Sequence, residues 1–91
     1  MIPLIWSKAA EDDLDAIINY IAQDNIEAAL NTLDEITRQS KRLCDYPLSG
    51  REGRIKATRE LVVARSPYVI VYTVSETVTL LRILHGAQKW P

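Results

Sequence analysis

RELVVARSPYVIVYTVSETVTLLRILH, residues 59–85, is the stretch whose reading decides the fold. Val, Ile, Thr, Leu and Tyr dominate it, and its pattern has a period of two, as in strands. RELVVA (59–64), YVIVYTV (68–74) and TVTLLRIL (77–84) read as three strands. Ser66-Pro67 divides the first pair and Ser75-Glu76 the second. Gaps this short are hairpin lengths, so the strands should pair antiparallel as a meander. The turn at 75–76 lacks Asn-Gly, and its type stays open. Alternation along the last strand puts Val78, Leu80, Arg82 and Leu84 on one face and Leu81, Ile83 and His85 on the other. Both sets are mainly apolar, so this strand should be central and covered twice. The tail GAQKWP (86–91), with Trp90 folded back, is the candidate second cover.

Upstream the period changes. IPLIW (2–6) reads as a short strand, with Pro3 at an edge or first position. Ser7 stands where a helix cap belongs, and Glu11, Asp12 and Asp13 crowd the turn after it. Leu14, Ile17, Ile18 and Ile21 keep the spacing of one helical face, which predicts a helix over 8–23. Asp24 and Glu27 form a D-x-x-E capping box for a second helix. Its buried stripe is Ala29, Leu33, Ile36, Ser40 and Leu43, and Pro47 ends it. DYPLSGREGR (45–54) reads as a loop. The order is βααβββ: one α+β domain over residues 1–91, an antiparallel sheet packed on one face by an N-terminal helical hairpin.

A chain of 91 residues buries only roughly 60–65% of its unfolded surface, so its margin of stability is thin. It has no Phe, so the core must be aliphatic with a few Tyr and Trp. One Cys, Cys44, forms no internal disulfide and reads as a small buried hydrophobe in a reduced, cytoplasmic setting. One Cys and one His do not make a zinc site. Neither metal nor cofactor is expected. The start, MIPLIWSKAAEDD, lacks the basic opening and apolar run of a signal peptide, and no stretch reaches the length of a membrane span.

Charge is divided along the chain. Residues 1–45 carry four cations and nine carboxylates; residues 46–91 carry seven cations and three carboxylates. Such asymmetry fits an anionic partner for the basic part, or simply mutual attraction of the two halves.

Three constellations carry possible chemistry. Arg51, Arg54, Lys56 and Arg59 lie on a loop entering a strand and suit phosphates or carboxylates. Arg51 alone reads as a solvated loop cation. Arg59, within the strand, reads as a fixed electrostatic group. It points away from the face that Glu60 takes. His85 ends the last strand; a general base near neutral pH is most often His. No Ser or Asp adjoins it to suggest a triad, and a structural role is the commoner one for a His so placed. Tyr68, Tyr72 and Trp90 are either core or stacking surfaces. Tyr72, at mid-strand, reads as core, Tyr68 stays open, and Trp90 is the best interface candidate. The balance favours a macromolecular partner over small-molecule catalysis.

These segments resemble a family. W-S-x-x-A-x-x-D-L-x-x-I-x-x-Y-I-A (Trp6 to Ala22) is similar to the first helix of the RelE/ParE superfamily of bacterial type II toxins. G-R-x-G-R-x-x-x-T-R-E-L-V (Gly50 to Val62), P-Y-V-I-V-Y-x-V (Pro67 to Val74) and L-R-I-L-H-G-A-Q-K-W-P (Leu81 to Pro91) follow in order, and the last looks like a ParE ending. The resemblance implies a toxin silenced by a cognate antitoxin, with operator DNA met only through that antitoxin. ParE-like members poison DNA gyrase and block replication. RelE-like members cleave mRNA on the ribosome, a reaction for which Arg59, Arg82 and His85 would be the candidates here. In that branch an Arg commonly follows the Tyr of the third strand, where this chain has Val69. The RelE-like tail usually offers a Tyr and more basic residues. The departures favour ParE. The resemblance also leaves room for a non-toxic binding and autorepression module. The surface expected to meet target or antitoxin comprises Arg51, Arg54, Arg59, Tyr68, Arg82, His85, Lys89 and Trp90, and an acidic antitoxin would suit the basic half.

Overall fold

The computed structural model describes residues 1–86 and 88–91; Ala87, part of the tail read above, lies outside the described residues. Strand β1 (Leu4–Trp6) leads into helix α1 (Lys8–Ala22), and α2 (Ile26–Arg42) follows a short turn. Then come β2 (Arg51–Glu52), β3 (Arg59–Val62), β4 (Tyr68–Val74) and β5 (Val78–His85). Among the described residues these strands form one sheet in the order β1-β5-β4-β3-β2.

The local chemistry explains the helix starts. The Ser7 hydroxyl accepts the Ala10 N–H at 3.0 Å and donates to the Leu81 carbonyl at 3.0 Å, so one side chain caps α1 and ties it to β5. The capping residue of α2 is Asn25, whose side chain accepts from Ala28 N–H, and not the expected Asp24. Asn25 sits one residue later in extended backbone (φ −155°, ψ 104°), the geometry a cap requires. Of the predicted stripe of α2, Ala29, Ile36, Ser40 and Leu43 are buried and Leu33 is half-buried.

Two expectations about the sheet need correction. It is mixed and not wholly antiparallel, because β1 runs parallel to β5 (Leu4 opposite Val78, Trp6 opposite Leu80). The intervening helical hairpin supplies the long crossover that a parallel pair needs. The segment read as a loop over 45–54 also contains β2, two residues paired with Glu60 and Arg59. Composition hid it, because glycines and charges flank it.

The core lies between the helices and one sheet face: Ala10, Ile36 and Leu43 against Val63, Ile70, Tyr72, Val78, Leu80 and Ile83. Tyr72 is its largest fully buried side chain, as expected. Its hydroxyl donates to the Pro47 carbonyl (2.8 Å) and accepts the Gly50 N–H (2.9 Å). Burial raises its pKa, with the Gly50 N–H and the Arg59 charge opposing. Gly50 is required where it stands: a Cβ there would lie 2.6 Å from the Tyr72 hydroxyl. Tyr72→Phe leaves a buried amide and a carbonyl without their shared partner. Chemical denaturation should show a loss of about 1–3 kcal/mol.

Candidate functional site

The site is built on the sheet face turned away from the helices, and an irregularity in β5 creates it. Ile70 pairs with Ile83 and Val71 with Arg82, yet Tyr72 pairs with Leu80. Leu81 is therefore the extra residue of a β-bulge, and alternation resets across it. The expected faces of β5 are corrected accordingly. Val78 and Leu80 share the core face with Ile83 and His85; Arg82 and Leu84 share the opposite face with Val71 and Val69. Strict alternation would have driven the Arg82 side chain into the core.

β1 stops at Trp6, so the edge of β5 beyond Leu80 has lost its strand neighbour. Helix α1 fills in. Asp13 accepts the Ile83 N–H at 3.0 Å and grips the Arg82 guanidinium twice, from Nε at 2.6 Å and Nη2 at 3.0 Å. The hydrogen bond to Asp13, with its charge, raises the Arg82 pKa further above its usual value against the opposing effect of burial. The Arg82 guanidinium lies under the Trp90 ring, 5.6 Å from its centroid. The Trp90 indole N–H is buried with no hydrogen-bond partner among the described residues.

A second node sits two strands away. Glu60 projects onto the same outer face from β3 and its side chain is 1% exposed. Its carboxylate takes the Arg54 backbone N–H at 2.8 Å, the Arg54 Nε at 3.3 Å and the Arg51 Nη2 at 3.4 Å. Burial pushes its pKa up, but the Arg54 amide and charge and the arginine hydrogen bonds outweigh that, leaving it below the ordinary carboxylate value. Arg54 also donates to the Gln88 carbonyl at 3.0 Å. Two of the tail's contacts come from these nodes, Arg82 to Trp90 and Arg54 to Gln88. Val69, Val71 and Leu84 lie on this same outer face and are buried.

The structure disperses the remaining candidates. Arg59 lies on the helix side of β3 and donates to the Gly50 carbonyl at 2.8 Å, a fixed electrostatic role. Tyr68 and His85 face each other at the far end of the sheet, ring centroids 6.1 Å apart and edge to face. Lys89 is exposed. The residues that sequence reasoning missed are Glu60 and Asp13. An acidic residue inside the basic segment was the available signal for Glu60. Asp13 stands in the acidic cluster that follows the Ser7 cap, where the helix dipole already accounts for a carboxylate.

Fold and surface together define a toxin domain of the RelE/ParE superfamily. The profile of the ParE toxin of type II toxin-antitoxin systems, parDE, matches residues 4–90, and the chain belongs to this family. Y4kP of Sinorhizobium fredii is 44% identical over 86 residues, spanning 94% of this chain and 90% of its own. Toxin RelE2 of Caulobacter vibrioides is 37% identical over 89 residues, spanning 97% of this chain and 99% of its own. A solved structure described as the chromosomal ParDE TA system from P. aeruginosa superposes with a TM-score of 0.83 at 30% identity, covering 93% of this chain and 96% of that one.

A lowered carboxylate pKa stabilises the fold above the ordinary value, and that contribution is lost as pH falls through the lowered one. Wild-type stability should therefore fall on acidification below the usual glutamate range. Glu60→Gln should be less stable at neutral pH and should lack that part of the acid slope. Urea titrations of both proteins across pH 2–7 check this.

Proposed function

We propose that this chain is the toxin of a type II pair that acts by gripping DNA gyrase, blocks replication, and is neutralised by a cognate antitoxin. The observation that carries this reading is the dispersal of Arg59, Arg82 and His85. Cleaving RNA at a ribose hydroxyl needs a base, an acid and a cation around one phosphate. Arg59 pairs across from Tyr72, and His85 from Tyr68. Four residues of strand separate those levels, about 13 Å. Arg82 projects from the opposite sheet face, with its guanidinium held by Asp13. Three groups so arranged do not surround one phosphate. A surface that holds a partner needs no such convergence.

What this surface offers a partner is an aromatic ring on a fixed cation, with the exposed Lys89 next to it in the chain. Aromatic and Arg anchors dominate binding energy at protein interfaces. The antitoxin would shield the same side of the sheet. This reading extends to the cytoplasm as the working compartment, since gyrase and its DNA are there.

Purified protein should inhibit gyrase supercoiling and accumulate cleaved DNA, and adding the antitoxin encoded beside it should reverse both. No inhibition at stoichiometric excess by folded protein removes the proposal. Cleavage of ribosome-bound message that disappears in His85→Ala would instead establish the ribonuclease alternative. Association with an acidic antitoxin should slow markedly between low and high salt, as electrostatic steering requires. Stopped-flow mixing measures this, and an unchanged on-rate removes the steering.

A further inference from the structure

Asp13 lies on α1, remote in sequence from every residue of the surface just described. It nevertheless reaches that surface through one intermediary. Ser7 fixes the start of α1 by donating its N–H to the Leu80 carbonyl (3.0 Å) and its hydroxyl to the Leu81 carbonyl. This sets Asp13 against the open edge of β5. Its carboxylate then holds both Nε and Nη2 of Arg82, which fixes the plane as well as the position of the guanidinium. A single contact would leave that plane free to rotate. The Trp90 ring rests on this platform.

We propose that Asp13 is the positioning residue of the C-terminal tail: acting through Arg82, it sets where Trp90 is presented to the target. The inference rests on the reading of the tail as the target-binding surface. Asp13 itself touches no partner, and its effect is transmitted entirely by the guanidinium. Helix α1 and the sheet edge thereby control a surface on the far side of the sheet. The Glu60–Arg54 node holds the tail at Gln88, whereas the group under the Trp90 ring is Arg82, which Asp13 grips.

The test uses the full chain labelled with 5-fluorotryptophan, in which Trp6 and Trp90 give separate ¹⁹F signals and Trp90→Phe assigns the second. Asp13→Asn keeps an acceptor for the Ile83 amide but loses the charge. It should shift the Trp90 signal in the free protein to the position seen in Arg82→Gln. In the gyrase assay, Asp13→Asn should weaken inhibition about tenfold, the scale of a well-placed cation–aromatic contact. In a Trp90→Ala background the same substitution should change inhibition less than twofold. A Trp90 signal unmoved by Asp13→Asn overturns the proposal. So does a full tenfold loss that recurs without Trp90, because the carboxylate would then serve only the fold. If Asp13→Asn does not fold, Arg82→Lys, which keeps the charge and loses the two-pronged grip, takes its place in the same cycle with the same outcomes. If the wild-type chain leaves gyrase untouched, the proposed target falls, and the fluorine signal of the free protein still decides whether Asp13 sets the tail.

Discussion

The bulge at Leu81 is the constraint on which the rest of this structure depends. One extra residue in β5 sends Ile83 into the core and Arg82 out of it. A regular strand would bury a guanidinium under the helices or slip its register by one and expose the apolar residues instead. The bulge avoids both. It does so where β1 has ended, and an open sheet edge there would leave the Ile83 amide unpaired. Asp13 accepts that amide and neutralises the cation that the bulge has turned outward. One carboxylate thus resolves two consequences of a single irregularity.

The divided charge acquires a different meaning from this geometry. The cation-rich half does not present a bare positive face. Arg51 and Arg54 are held by Glu60, Arg59 by backbone carbonyls, and Arg82 by a carboxylate from the acidic half. Among the described residues, the Arg82–Asp13 ion pair joins the acidic half to the basic half. Exposed ion pairs contribute little to stability, but Glu60 is buried, and removing its partners would leave a desolvated carboxylate. The arginines therefore have a structural duty first. Any partner that competes for them must offer carboxylates or phosphates of comparable geometry.

Much of the fold was legible because period and caps act locally. The stripe Ala29, Leu33, Ile36, Ser40, Leu43 follows from helical spacing alone, and all but the half-buried Leu33 are buried; the three β-rich runs announce themselves by alternation. What escaped was set by distant residues. β2 has two residues, too few to show a period. The parallel pairing of β1 depends on where the hairpin returns the chain. The bulge carries no mark in L-R-I-L-H; it exists because Ser7 and Asp13, some seventy positions away, supply the bonds that β5 loses. For the same reason the site candidates could be named from the sequence while their grouping could not. Arg82 and Trp90 meet, whereas Arg59 and His85 lie apart from both.

Val69, Val71 and Leu84 lie on the face that the helices do not cover. Burying three such side chains stabilises the fold by roughly 1.5–3 kcal/mol each. Fixing backbone costs about 1–2 kcal/mol per residue, so a terminal segment needs contacts of its own to stay in place. Gln88 and Trp90 have them, in the Arg54 hydrogen bond and the Arg82–ring contact. Segments held by few buried contacts open at lower cost than the core. Anything that grips Trp90 from outside competes with its contact to Arg82, so partner binding and placement of the ring draw on the same guanidinium.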